Sequence, residues 1–314
     1  MTSYDVIVVG AGPAGLCAAL YCGRSMLRTL VLEKGVPGGQ LLNTEEIEDY
    51  IGFESIHGFD LADRFARHAL KFGAELVTDA ASGIEKRADG SFSVTTESGS
   101  EYRAPAVILA AGGAPARLGV PGEAEYAGKG ASYCAVCDGH FFRGETIAVV
   151  GGGDAACEEA DFLTRYASKV HIVHRRDEFR ASRIIQNRVF GNPKIEVVWN
   201  SVVERIEGDG AAVKRLVLRD VRSGAVSPLD VSGVFVFVGF KPNTGLVRSD
   251  VTRDAGGHVI SDERMMSSIP GLFVAGDVRA QLIRQVTTAV GDATTAAVAV
   301  SKYIVESRER SAGA

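Results

Sequence analysis

One arrangement occurs twice in this chain and constrains its fold more than any other feature. The apolar run Val6-Ile7-Val8-Val9 enters a glycine turn, Gly10-x-Gly12-x-x-Gly15; a helical stretch to about Arg24 and a second apolar run, Thr29 to Glu33, follow. Much later, Ile147 to Val150 enters Gly151-Gly152-Gly153, a helical stretch runs to about Tyr166, and another apolar run covers Val170 to His174. Strand, glycine turn, helix and strand make a βαβ unit. Short apolar strands alternating with helices predict parallel sheets covered on both faces.

Between the copies the pattern predicts a helix from about Leu61 to Phe72, two meander strands around the turn Ala88-Asp89-Gly90, and a buried strand, Ala106 to Ala111. After the second copy come a strand pair, about Ile195 to Ile206 and Val213 to Val221, and the strand Gly233 to Val238. The tail returns to the character of the first copy at Gly271 to Asp277 and closes with a long helix from about Val286. A chain of 314 residues suits two domains. The order of segments predicts a discontinuous first domain, residues 1–115 and 244–314, with a second, residues 116–243, inserted into it. Gly112-Gly113 and Gly239 to Asn243 are the expected connecting strands.

Composition narrows the function. Apolar residues make up 46% of the chain, enough for sizeable cores, yet no apolar run reaches the roughly 20 residues of a membrane helix. The start, Met1 to Asp5, has neither a cationic segment nor a cleavage site, so a cytoplasmic protein without a signal peptide is expected. A net charge of −5 offers no basic excess for a nucleic-acid partner.

The first glycine turn reads as a dinucleotide cradle. Gly10 allows the tight turn, Gly12 lets a pyrophosphate approach the backbone, and Gly15 lets helix and strand pack closely, while the phosphates rest on free N–H groups at the helix start. Glu33 ends the next strand, where a carboxylate binds ribose hydroxyls. The second copy differs there: the residue as far from Gly151 as Glu33 is from Gly10 is His174, followed by Arg175, Arg176 and, one turn on, Arg180. A carboxylate would repel a 2′-phosphate, whereas guanidinium forks grip it, so this turn reads as a site for NADPH rather than NADH. Two weaker signals are Gly38-Gly39-Gln40 and Gly276-Asp277; the latter follows a buried strand and is placed to hold a cofactor's ribityl chain.

Of five cysteines, Cys17, Cys22 and Cys157 stand alone. Cys134-Ala135-Val136-Cys137 places two thiols so that a disulfide closes with little movement, at a helix start that favours the thiolate. Asp138 is the candidate acid/base. Cys134, Cys137 and His140 could also offer three zinc ligands, but no second CxxC supplies a fourth, and a purely structural pair is the remaining alternative. A CxxC among βαβ units reads first as redox-active. Together the elements describe a circuit: hydride from NADPH to a flavin dinucleotide, then two electrons to the dithiol.

These residues resemble, over essentially the whole chain, the low-molecular-weight (bacterial-type) thioredoxin reductases of the class II pyridine nucleotide-disulfide oxidoreductases. The motifs that carry the resemblance are Gly10 to Gly15, Gly38 to Leu41, Cys134 to Asp138, Gly151 to Asp154, His174 to Ser182, Gly276 to Val278 and Arg284-Gln285. The resemblance implies two Rossmann-like, three-layer ββα domains, one inserted in the other. It implies FAD held by Gly10, Gly12, Pro13, Ala14 and Gly15, by Glu33 and Lys34, by Gly39, Gln40 and Asn43, by Gly112, and by Gly276, Asp277, Val278, Arg284, Gln285 and Val286. NADPH would lie on Gly153, Asp154 and Ala155 and on His174, Arg175, Arg176 and Arg180. It also implies a homodimer in which Cys137 faces the flavin, Cys134 forms a mixed disulfide with thioredoxin, and the inserted domain swings on its connecting strands. Three positions depart from the family: Val136 replaces a frequent threonine, Ala155 a frequent serine, and Val278 to Ile283 lacks a frequent acidic residue. Other readings are a relative with a different reductant or a small-molecule dithiol substrate, the flavoprotein of a peroxide-reducing system, and a non-catalytic redox sensor.

Overall fold

Each glycine turn caps the carboxyl end of the middle strand of a five-stranded parallel sheet. The computed structural model describes residues 2–44 and 46–312. The first sheet runs, in spatial order, Leu272–Val274, Ala106–Leu109, Val6–Val9, Thr29–Glu33 and Glu75–Thr78. The second runs Ala131–Ser132, Gly233–Phe237, Thr146–Gly151, Lys169–Val173 and Ile195–Val198. In both, the chain winds outward to one side of the middle strand and completes the other side elsewhere. The carboxyl end of the middle strand is therefore a topological switch point, where open α/β sheets bind their ligands.

The α-helices of the described residues are α1 (Pro13–Arg24), α2 (Gly58–Leu70), α3 (Ala135–Asp138), α4 (Asp154–Leu163), α5 (Arg183–Gly191) and α6 (Val286–Ala312). Alternation along the middle strand explains the layering. Val6 and Val8 pack with Ala14, Ala18 and Ala19 of α1 and Ala293, Ala296 and Ala297 of α6, whereas Ile7 and Val9 pack with Ile84, Phe92 and Val94 of a facing antiparallel sheet. Full burial of such a side chain stabilises by roughly 1.5–3 kcal/mol, so a strand apolar on both faces needs a layer on each side. The alanines let α1 and α6 approach closely over the sheet. The second unit repeats the scheme: Ile147 and Val149 meet α4 and α5, while Ala148 and Val150 meet Val203, Ile206 and Leu216.

The antiparallel layers depart from the expected elements. Instead of two meander strands the first unit has three, Ala81–Lys86, Phe92–Thr96 and Glu101–Ala104, with Thr2–Ser3 paired parallel to the last. The second hairpin turns at Gly99, whose φ of +88° suits glycine. The stretch Ile195 to Ile206 is two strands in different sheets: Ile195–Val198 completes the parallel sheet, and Ser201–Gly208 joins Val213–Asp220 and Val226–Asp230 in an antiparallel one. The chain breaks at Asn200, where φ is +53°.

The molecule consists of two compact units, residues 1–114 with 241–314 and residues 115–240, each with its own core. The chain crosses between them along Gly113–Pro115 and Phe240–Pro242, which pair as a two-stranded sheet. Backbone bonds from Ala116 to Gly239 (2.8 Å) and from Asn243 to Gly112 (3.0 Å) flank that pair. No helix among the described residues is long and apolar enough to cross a membrane.

Candidate functional site

In the first unit the glycines of the turn are demanded for different reasons. A Cβ on Gly10 would lie 2.5 Å from the Ala110 carbonyl oxygen, and one on Gly15 only 1.8 Å from the Gly10 oxygen. Gly12 is different: its added Cβ would make only an ordinary 3.8 Å contact with Gly39. Protein packing does not require a glycine there, which fits a surface kept bare for a ligand. Gly12 is also the N-cap of α1 and caps nothing with a side chain; Pro13 opens the helix, and the N–H groups at Ala14 and Gly15 follow. Glu33 reaches back to the turn, its Oε2 accepting from the Ala11 N–H at 2.7 Å and its Oε1 from Gly35 at 3.2 Å.

Gly39, Gln40 and Asn43 lie on the 3₁₀ turn Gly39–Asn43, with Asn43 Nδ2 donating to Gln40 Oε1 at 3.3 Å. Lys34 is exposed and Gly112 half-buried. The strand Leu272–Val274 delivers Gly276 against the start of α1, where a Cβ on Gly276 would come 2.9 Å from the Cβ of Ala14. Gly276, Asp277 and Val278 thus stand beside the glycine cradle, although more than 250 residues separate them from it in sequence. Burial pushes the Asp277 carboxyl above the usual range, nearby Asp292 adds to the effect, and Arg284 and His258 oppose it. Asp277 is half-buried and no hydrogen bond reaches its side chain among the described residues, so its oxygens are open to a donor. Arg284 donates to His258 Nε2 at 2.9 Å, and Gln285 N–H to Thr288 Oγ1 at 3.1 Å, just before Val286 opens α6.

Asp292 had no sequence signal. It projects from α6, takes a bidentate pair from Arg279 (3.0 and 2.9 Å) and accepts from the Gly276 N–H at 3.2 Å. An acid on the helix thus reaches the Gly276 turn.

In the second unit a Cβ on Gly151 would meet the Phe237 oxygen at 2.5 Å and one on Gly152 the His174 ring at 2.3 Å, while one on Gly153 would meet nothing within 4 Å. Gly153, the N-cap of α4, is again the open position, with Asp154 and Ala155 beginning the helix. The segment after the strand Lys169–Val173 folds back over this turn: Arg180 N–H donates to the Gly152 oxygen at 2.7 Å and Ser182 N–H to Asp154 Oδ1 at 2.7 Å. His174 is buried beneath the turn against Phe179 and Trp199, with Nε2 on the Glu178 carbonyl at 3.0 Å. Burial holds its pKa below the usual value, so it supports the turn as a neutral ring. Arg175, Arg176 and Arg180 are exposed and make no ion pair among the described residues. Of the two acids within this run, Asp177 is paired with Arg222 from the far hairpin, and Glu178 makes no ion pair with these arginines among the described residues.

The cysteine pair sits in the same unit. Cys134 and Cys137 form a disulfide, with Cα atoms 5.4 Å apart. Cys134 is the N-cap of the single-turn helix α3, and its Sγ accepts the Cys137 N–H at 3.2 Å. That donor is aimed where a Cys134 thiolate would hold its charge, a more direct stabilisation than the dipole of one turn supplies. Ala135 anchors the turn in the core, and Val136 packs beside it. Cys137 is exposed and Cys134 partly so. His140 packs against Phe141, with ring centroids 3.9 Å apart and the planes tilted by 38°. Sequence reasoning also missed Ser132, whose hydroxyl donates to Asp138 Oδ2 at 2.6 Å and accepts the Cys134 N–H at 3.1 Å.

Comparison with known proteins bears directly on these sites. A family model described as pyridine nucleotide-disulphide oxidoreductase matches residues 4–293. The thioredoxin reductase of Listeria innocua is 48% identical over 307 residues, covering 98% of this chain and 95% of that protein. The crystal structure of Lactococcus lactis thioredoxin reductase matches with a TM-score of 0.94 at 44% identity, over 96% of this chain and 99% of the other. That of T. acidophilum thioredoxin reductase matches at 0.91 and 34% identity, over 96% and 99%. The matched span takes in both glycine turns, the cysteine pair and the segment Gly276 to Val286.

Proposed function

This chain belongs to the pyridine nucleotide-disulphide oxidoreductase family and, within it, to the bacterial-type thioredoxin reductases, and we propose that it passes two electrons from NADPH through FAD to the Cys134/Cys137 pair and on to the disulfide of thioredoxin. The observation that carries the reading is the disulfide itself: two cysteines on one turn, with a backbone N–H on Cys134 Sγ and Asp138 next in sequence.

FAD belongs in this reading to the unit of residues 1–114 and 241–314, where it would supply the step between hydride and thiol chemistry. Gly10 to Gly15 would seat its pyrophosphate, and Glu33 a ribose hydroxyl. The unpartnered Asp277 would accept from the ribityl chain. Lys34, Gly39, Gln40, Asn43, Gly112, Val278, Arg284, Gln285 and Val286 would line the rest. NADPH belongs to the inserted unit: Gly153, Asp154 and Ala155 would hold its phosphates, and Arg175, Arg176 and Arg180 its 2′-phosphate, with His174 supporting the turn from below. The exposed arginines favour this reading over a relative that draws on another reductant.

Once the pair is reduced, Cys134 thiolate attacks one sulfur of the thioredoxin disulfide. A new S–S bond forms, the old one breaks, and the leaving thiolate takes a proton from Asp138. Cys137 thiolate then attacks Cys134 Sγ, which releases the second thiolate of thioredoxin and re-forms the disulfide seen here. Two electrons have moved, and the enzyme is ready to be reduced again. On the family's pattern the protein is a cytoplasmic homodimer.

Anaerobic titration with NADPH, followed by thioredoxin, tests the circuit. The visible flavin band should bleach with NADPH and recover when oxidised thioredoxin is added. A yellow protein that NADPH leaves unchanged would remove NADPH from the reading; bleaching without recovery would remove thioredoxin.

A further inference from the structure

We infer that Ser132 is a positioning residue for proton transfer: its hydroxyl holds the Asp138 carboxylate against the turn that carries Cys134. The inference rests on the reading of Asp138 as the acid of thiol–disulfide exchange. Ser132 ends the edge strand Ala131–Ser132 of the second parallel sheet and is only 5% exposed. Among the described residues, every hydrogen bond of its side chain goes to the redox turn. Its oxygen accepts the Cys134 N–H at 3.1 Å, and its proton faces two acceptors, Asp138 Oδ2 at 2.6 Å and the Cys134 carbonyl at 3.2 Å. A hydroxyl has one proton to give, and the nearer, charged acceptor takes it.

Capping the turn would need only the bond from Cys134 N–H. The short bond to Asp138 goes beyond that need, and the second acceptor gives it a use. When Asp138 is ionised, the hydroxyl donates to it. When Asp138 is protonated, the hydroxyl proton can turn to the Cys134 carbonyl and leave an oxygen lone pair to accept from the carboxylic acid. The carboxyl therefore has a partner at Ser132 in both protonation states without a shift of any carbon atom. Alanine at this position leaves it none there. Threonine keeps the hydroxyl and suits a strand.

The test compares the holoenzyme with Ser132→Ala, Ser132→Thr, Asp138→Asn and the Ser132→Ala/Asp138→Asn double variant. Three readouts are used: turnover of thioredoxin, exchange of the reduced pair with 2-hydroxyethyl disulfide, and alkylation of the reduced pair by iodoacetamide. Both disulfides expel a thiolate that must be protonated, whereas alkylation expels iodide, which needs no proton. Ser132→Ala should slow exchange with 2-hydroxyethyl disulfide about tenfold, the loss of one charge-assisted hydrogen bond in the transition state. It should leave alkylation unchanged, Thr should restore exchange to within about twofold, and Ser132→Ala should add nothing in the Asp138→Asn background. Slowed alkylation, or additive losses in the double variant, would make Ser132 merely structural and overturn the inference. A wild-type enzyme that exchanges with 2-hydroxyethyl disulfide but ignores thioredoxin would count against the substrate instead, with the Ser132 comparison still read on the small disulfide.

Discussion

At Asp277 the end of a buried strand delivers a carboxyl group whose pKa burial raises, and no donor among the described residues answers it. A carboxyl with a raised pKa in the folded state contributes its stability below the unfolded value of about 4 and loses it as pH rises through the folded one. At neutral pH the ionised group therefore weakens the flavin-free protein. Asp277→Asn should leave the urea midpoint of the flavin-free protein equal or higher at pH 7, with the difference shrinking toward pH 4. The same variant should bind FAD at least about tenfold more weakly, since a hydrogen bond to a charged acceptor is worth about 1.5–3 kcal/mol. Unchanged FAD affinity would take Asp277 out of the cofactor site. The sequence made Asp277 legible because a Gly-Asp turn after an apolar strand is a local pattern. It could not show Asp292, which reaches the same turn from α6, nor Arg222, which removes Asp177 from the arginine cluster across 45 residues. Ser132 was close enough in sequence to be noticed, but a lone serine before a CxxC has no signature; only the bond to Asp138 reveals it.

Among elements, the two βαβ units were the most legible, because a strand buried on both faces must be apolar at every position and a glycine turn marks where it ends. The strand break at Asn200 was not legible: Ile195 to Ile206 is apolar enough to read as one strand, and which sheet each half joins is decided by tertiary partners. On the proposed reading, the loop after Lys169–Val173 is where nucleotide choice would be made. Arg180 is tied by its backbone to Gly152, and Arg175 and Arg176, on the same loop, are exposed and make no ion pair among the described residues. Arg175→Ala with Arg176→Ala should raise the KM for NADPH at least tenfold and change that for NADH by less than about twofold. Steady-state kinetics with both nucleotides decides it; equal losses would mean that the arginines act through the fold of the loop rather than on the 2′-phosphate.

For the molecule as a whole, the paired crossings matter most. Gly113–Pro115 and Phe240–Pro242 lie side by side, so the two ends of the first unit emerge about one strand spacing apart, roughly 5 Å. Removing residues 115–240 and joining Ala114 to Lys241 through a few glycine and serine residues should therefore leave a folded protein that still binds FAD, because each unit has its own core. A yellow, cooperatively unfolding product is expected; an aggregated, colourless one would show that the first core needs the second. Four of the five strands also share a spatial order, with corresponding middle strands, turns and outward windings; the edge strands differ, Leu272–Val274 coming last in its unit and Ala131–Ser132 first in its own. Such a match is what duplication of an ancestral module leaves behind. On that history the side-by-side termini made one copy easy to splice into the other without tearing its host. Descent then altered little of the scaffold and a great deal at one place, where Glu33 in one copy corresponds in position to His174, followed by two arginines, in the other. The chain is in that sense a single invention used twice, its copies told apart by the end of one strand.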